Sequence, residues 1–176
     1  RQVPSLLSLA PVPGEDAPGQ RASDRLHRLF YGAIGWPFLA FSLWGGTRAS
    51  KRHLLARIGL EEGALPHLGS WKADTGFLHR IVDAIELLRP AIVVELGCGA
   101  SSLVAARALA LNGGGRLVSY DQHGGFVDAT QRWLEEEGVS ASIRHAPLRP
   151  EASGDWPGSW YDLHDVPEVI DLLIID

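Results

Sequence analysis

Two spacings of apolar residues alternate along residues 70–176. Short unbroken apolar runs predict buried strands, and apolar positions three or four residues apart predict amphipathic helices. The predicted strands are 91–94, 116–121, 141–145 and 169–176. The predicted helices are 75–88, 101–111 and 126–137. Strands that alternate with helices indicate an α/β fold with a parallel sheet.

A glycine turn joins the first predicted strand to its helix. Gly97 and Gly99 allow a ligand to approach the backbone closely. Ser101 or Ser102 is expected to cap the helix, whose first N–H groups would face that ligand. The dinucleotide fingerprint G-x-G-x-x-G is incomplete, because Ser102 stands at its third glycine position. Glu95, two residues before the first glycine, would repel a pyrophosphate and suits an ammonium or sulfonium group.

The run VVELGCGASS resembles the first motif of the class I S-adenosylmethionine (SAM) methyltransferases, E/D-x-G-x-G. The next predicted strand ends on Asp121, 22 residues after Gly99, near the spacing at which an acid meets ribose hydroxyls. The resemblance implies that Gly97, Gly99 and Asp121 bind SAM, with Asp121 on both ribose hydroxyls. It also implies that Glu95 orients the turn and the methionine ammonium, directly or through water.

The resemblance covers about residues 70–176 and implies a Rossmann-like, doubly wound parallel sheet in strand order 3-2-1-4. Three further strands of the family are not in this chain, which looks truncated after its fourth strand. The runs SWYDL and IDLLIID resemble a small-molecule branch, although the D-G-P-P turn that follows them there is missing. The implied reaction moves a methyl group from SAM to an oxygen or nitrogen of a small-molecule acceptor.

Asp176 is the predicted catalytic residue, because ligands of open α/β sheets bind at the carboxyl ends of strands. Its role stays open between a base, a metal ligand, a cofactor contact and a cap of the next turn. None of the seven histidines shows metal-ligand spacing, so no metal site is predicted.

Three further expectations are local. Residues 126–137 are expected to turn Phe126, Thr130, Trp133 and Leu134 inward, and residues 151–167 are expected to form a long loop. The resemblance implies that Ala146 and Leu148 flank the adenine and that the loop with Trp71 closes over the cofactor.

The first 69 residues carry a different pattern. Residues 1–20 contain four prolines and indicate an extended arm, and residues 21–69 indicate a helical, apolar extension. Residues 29–47 carry no charge and are as long as the roughly 17–25 residues of a membrane-spanning helix. Three interpretations stay open: a hairpin buried on protein, contact with a membrane surface, and a span, which Pro37 disfavours.

Charge separates the two parts of the chain. The net charge of −5 combines +5 over residues 1–60 with −10 over residues 61–176. The acidic part argues against a nucleic-acid substrate held on a basic surface.

The single cysteine, Cys98, excludes an internal disulfide, so we expect a cytoplasmic protein, free or peripheral at a membrane. Two other functions stay open: a Rossmann-type NAD oxidoreductase and a non-catalytic, membrane-associated scaffold. The oligomeric state is not predicted.

Overall fold

A computed structural model describes residues 43–65, 68–69, 73–154 and 156–176. Ser42–Asp176 form one compact unit. The predictions for the arm 1–20, for most of the uncharged run 29–47 and for Trp71 lie outside the described residues.

The described part contains four helices and six strands. The helices are α1 (Arg48–Ile58), α2 (Thr75–Leu88), α3 (Ala100–Leu111) and α4 (Gly124–Glu136). The strands are β1 (Ile92–Leu96), β2 (Arg116–Asp121), β3 (Ser142–His145), β4 (Leu148–Ser153), β5 (Trp156–Tyr161) and β6 (Leu172–Ile175).

The main sheet has four parallel strands in the order β3-β2-β1-β6. This confirms the α/β class and the predicted order 3-2-1-4, with β6 as the fourth strand. In the register of the sheet, Glu95 of β1 lies opposite Ser119 of β2 on one side and Ile174 of β6 on the other. Glu95 therefore occupies the centre of the sheet.

The expected loop 151–167 is wrong over its first part. Strands β4 and β5 follow β3 and precede β6 along the chain. They pair antiparallel and form a separate two-stranded sheet. Pro150 and Pro157 weaken the strand pattern in the sequence, because proline cannot donate a ladder hydrogen bond. A two-stranded hairpin consists only of edge strands and tolerates them, and Gly154, at φ +62°, lies between its strands.

Strand side chains divide by alternation between two faces. Val93, Leu117 and Ile174 join one core cluster with residues from all four helices. Val94, Val118 and Tyr120 belong to a second cluster, on which Tyr161 and Leu163 pack. Within the described residues, the helices therefore pack on one face of the sheet. Helices on both faces, as in a doubly wound sheet, stay a prediction, and so does the domain boundary near residue 70, because α1 shares the first core.

The helix ends follow their local sequence with one correction. Asp74 caps α2 by accepting a hydrogen bond from Phe77 N at 2.8 Å. The cap of α3 is Gly99 and not Ser101 or Ser102, which lie in the first helical turn.

The inward face of α4 is also corrected. Phe126 is 61% exposed, whereas Val127, Thr130 and Leu134 are buried. Val127, Thr130 and Leu134 follow the three-to-four spacing of one helix face. Phe126, four residues before Thr130, fits this spacing too, but it lies near the start of α4 and is not covered there. It makes an edge-to-face contact with His123 instead, with ring centroids 5.5 Å apart.

Membrane-spanning length is not reached by any helix of the described residues. Leu43 and Trp44, at the end of the uncharged run, are both more than half exposed.

Candidate functional site

The carboxyl ends of β1, β2 and β6 meet at one edge of the sheet. Gly97 N donates to Tyr120 O at 2.8 Å, and Asp176 N donates to Leu96 O at 3.0 Å. These bonds bring together the glycine turn, Asp121 and Asp176. Four of the five predicted site residues, Gly97, Gly99, Asp121 and Asp176, thus lie at the same edge.

The two glycines of the turn differ in what surrounds them. Gly97 has φ +92°, and a Cβ atom there would lie 2.7 Å from the backbone oxygen of Asp176. Gly97 is therefore required by the protein itself. Among the described residues, apart from its two chain neighbours, a Cβ atom on Gly99 would have no atom within 4 Å. The space beside Gly99 is open to a ligand.

Asp121 links the turn to the end of β2. Its Oδ2 accepts a hydrogen bond from Cys98 N at 3.0 Å, and its Oδ1 accepts one from His123 N at 2.7 Å. The residue is 8% exposed. Each carboxylate oxygen has a second acceptor position. Asp121 can thus hold the turn and still accept hydrogen bonds from a ligand.

Glu95 lies behind the turn, between β1 and the first turn of α3. It is 0% exposed, and its Oε2 accepts a hydrogen bond from the Ser102 hydroxyl. The Ser102 oxygen in turn accepts a hydrogen bond from Gly99 N at 3.0 Å. Burial raises the pKa of Glu95 to about 7, against the hydrogen bond from Ser102, which lowers it. Glu95 reaches the open side of the turn only through these groups.

Asp176 is exposed and follows directly after β6. Its Oδ2 accepts a hydrogen bond from the Ser101 hydroxyl at 2.7 Å. Two adjacent serines of α3 therefore donate to two different acids, Ser101 to Asp176 and Ser102 to Glu95, and Ser101 also lies near enough to lower the pKa of Glu95.

Cys98 stands between the two glycines, but its thiol is not a reactive group. Burial raises the pKa of Cys98 to about 12, against the hydrogen bond with Thr130. The thiol therefore stays protonated at neutral pH and cannot act as a thiolate nucleophile.

Sequence reasoning missed the role of the hairpin at this edge. Tyr161, at the end of β5, packs on the second core cluster, which includes Val94 and Ala146, and Asp162 N donates to Pro147 O at 2.9 Å. Burial raises the pKa of Tyr161, and the negative charge of Asp121 adds to this rise. The aromatic pair before an acid in SWYDL was the available signal. Of the two expected adenine neighbours, Ala146 is buried and Leu148 is 48% exposed.

Metal-binding clusters of three or more His, Cys, Asp or Glu side chains do not occur among the described residues. The expectation that the chain holds no metal site stays a prediction.

Comparison with known proteins gives structural similarity only. No family model matches the chain, and no curated protein matches it. An O-methyltransferase from Bacillus cereus, solved in complex with SAH, matches with 17% identity and a TM-score of 0.39, over 57% of this chain and 44% of that one.

Two further solved structures match at similar levels. The O-methyltransferase TomG from Streptomyces achromogenes, involved in tomaymycin synthesis and solved with SAM, has 20% identity and a TM-score of 0.36, over 63% of this chain and 48% of its own. A methyltransferase from Geobacter sulfurreducens has 18% identity and a TM-score of 0.38, over 66% of this chain and 56% of its own. The chain spans about half the length of these proteins. All three of these solved structures are methyltransferases.

Proposed function

We propose that the protein is a SAM-dependent methyltransferase that acts on an oxygen or nitrogen of a small molecule. The observation that carries this proposal is the open space beside Gly99, next to Asp121 at the carboxyl edge of a parallel sheet. Ligands of open α/β sheets bind at this edge. The motif E-x-G-x-G, with an acid at the end of the next strand, supports SAM as the ligand.

The residues at this edge fit SAM in three ways. Gly99 leaves room for the ligand beside the backbone, and the first N–H groups of α3 point out of the helix toward polar ligand atoms. Asp121 keeps acceptor positions for the ribose hydroxyls. Bound SAM would supply a methyl group activated by its positive sulfonium. The task of the chain is then to hold and align the two reactants.

Asp176 is proposed to lie beside the methyl group that is transferred. Its exposed carboxylate, held by Ser101, is suited to accept a proton from the methyl acceptor or to contact the cofactor. The acidic character of residues 61–176 supports a small acceptor over a nucleic acid.

An NAD-type oxidoreductase is the second candidate. The buried position of Glu95, with a pKa near 7, weakens the argument that its charge repels a pyrophosphate. The case against NAD then rests on Ser102. It is fully buried and hydrogen-bonded at the position where the dinucleotide fingerprint needs a third glycine.

Calorimetric titration of the full chain separates the two candidates. Titrations with SAM, with SAH and with NAD should give binding of SAM and SAH and no heat from NAD. Binding of NAD without SAM would replace the methyltransferase by the oxidoreductase. Binding of neither ligand would favour a non-catalytic scaffold.

We also propose that the protein contacts an anionic membrane surface through residues 29–47. The described end of this run supports the contact, since Leu43 and Trp44 are exposed and the basic Arg48 and Arg52 follow. Basic residues add about 1 kcal/mol each on anionic lipid, and salt weakens them. Flotation with liposomes should therefore require anionic lipid and fall with salt. A protein that ignores liposomes of every composition contradicts the contact.

A further inference from the structure

Two buried oxygens at the back of the glycine turn have no hydrogen-bond partner within the described part of the chain. They are Oε1 of Glu95 and Oγ of Ser119, and both residues are 0% exposed. The two residues lie opposite each other in the register of β1 and β2. The Ser119 hydroxyl lies near enough to lower the pKa of Glu95. A buried polar atom without a partner costs about 1–3 kcal/mol, so a rotation of the hydroxyl that pairs these two atoms is favoured.

The other oxygen of Glu95 leads to the front of the turn. Ser102 donates to Oε2 of Glu95, and its oxygen accepts the N–H of Gly99. Gly99 is the residue with open space on its ligand side. One continuous chain of hydrogen bonds thus connects a buried carboxyl group to the backbone that would touch the ligand.

We propose that Glu95 is a positioning residue that acts on the turn through Ser102 and the Gly99 amide. Its second oxygen pairs with the Ser119 hydroxyl, and Glu95 itself does not touch the cofactor. The part of this inference that concerns ligand affinity rests on the proposed function, whereas the coupling of Glu95 to the Gly99 amide does not.

The charge of Glu95 sets how firmly the turn is held. A carboxylate is a stronger acceptor than a neutral carboxyl group, so ionisation polarises the Ser102 hydroxyl and strengthens its bond to Gly99 N. The pKa of about 7 puts this ionisation in the neutral range. SAM carries a positive sulfonium, so its binding should favour the carboxylate and release a proton from Glu95.

The surroundings of Glu95 leave few other groups that could titrate with it. The first turn of α3 and strand β2 present hydroxyl groups to it, and Asp176 after β6 adds negative charge that raises its pKa. In the turn, Cys98 stays protonated at neutral pH. Asp121 lies on the ligand side of the turn, where it accepts from Cys98 N and His123 N.

The coupling is tested without any ligand by following the Gly99 amide in NMR spectra of the full chain between pH 5.5 and 8.5. In the wild type, the amide shift should titrate with a midpoint near 7. The titration should vanish in Glu95→Gln and in Ser102→Ala, and should remain in the control Glu136→Gln, which changes an exposed acid of α4. An amide that does not titrate in the wild type overturns the proposal. So does one that still titrates in Glu95→Gln, since a group other than Glu95 would then be the source.

The second test of the proposal measures the affinity of each variant for SAM by calorimetry at pH 8. Ser102→Ala should weaken binding about tenfold, the equivalent of one hydrogen bond. Glu95→Gln should weaken it less than about tenfold, and the double variant should match Ser102→Ala alone. If Glu95→Gln weakens binding as much in the Ser102→Ala background as in the wild type, Glu95 touches the ligand and the proposal fails. If the wild type does not bind SAM at all, the proposed function fails and the amide titration alone decides this inference.

Discussion

The two acids of β1 and β2 occupy opposite sides of the same turn. Asp121 lies at the open carboxyl edge and accepts two backbone N–H groups. Glu95 lies behind the turn, has no exposed surface and meets hydroxyl groups. Both acids hold the turn, but Asp121 lies at the open edge of the sheet, whereas Glu95 is enclosed. The comparison teaches that two acids selected from neighbouring strands can occupy different environments, one at the edge and one behind the turn.

The two glycines of the turn differ in the same way, and a substitution of Gly99 should have the largest effect on SAM affinity. Gly99→Val should reduce SAM affinity more than about a hundredfold, because the added side chain fills the open ligand space. The melting temperature should stay close to that of the wild type, since no atom of the described residues beyond its chain neighbours lies within 4 Å of the added Cβ. Calorimetry and thermal melting measure the two quantities.

Gly97→Val is the matched variant. Its Cβ would collide with the Asp176 backbone at a positive φ, so the fold itself should suffer. The comparison breaks if Gly99→Val binds SAM normally, or if the two variants lose stability equally.

Asp121→Ala should weaken SAM binding about ten- to a hundredfold, because hydrogen bonds to a charged group contribute roughly 1.5–3 kcal/mol. Its two backbone bonds would also be lost, so the melting temperature should fall. Asp121→Asn separates the two losses, since its amide oxygen can still accept a backbone N–H. Full SAM affinity in Asp121→Ala removes the ribose assignment.

Glu95→Gln should change the pH dependence of stability. Because burial raises the folded pKa of Glu95 above its usual value, the protein is most stable where this carboxyl is protonated and loses stability as pH rises through 7. Glutamine carries no charge, so the stability of Glu95→Gln should not fall in this way. Relative to the wild type, the free energy of unfolding of Glu95→Gln should therefore be about 2 kcal/mol more favourable at pH 8 than at pH 5. Urea unfolding at both pH values measures this gain. Equal stability differences at pH 5 and pH 8 would mean that Glu95 is not buried as a neutral acid.

Ser101→Ala should have the smallest effect. Its hydroxyl donates to Asp176 and lowers the pKa of Glu95 less than Ser102 does, so its loss should cost about 1 kcal/mol in stability. The Gly99 amide should still titrate in this variant, in contrast to Ser102→Ala. If both serine variants abolish the titration, Ser101 as well as Ser102 couples Glu95 to the Gly99 amide.

The elements of the sheet were accessible from the sequence, because their signals are short in range. Strand 116–121 was predicted with its observed bounds. The order of the four parallel strands followed from the alternation of strands and helices together with the family resemblance. The hairpin β4–β5 was missed, because Pro150 and Pro157 suppress a strand pattern that only its edge position permits.

The candidate residues at the turn were also selected by the sequence alone, and their roles in binding remain predictions. What the tertiary structure decided is how these residues divide. Gly97 is fixed by its approach to Asp176, a contact between residues far apart in the chain. Glu95 is hidden because α3 covers it and Ser102 turns toward it. A motif states which residue types stand next to each other along the chain, whereas burial and distance depend on segments that fold against them from elsewhere.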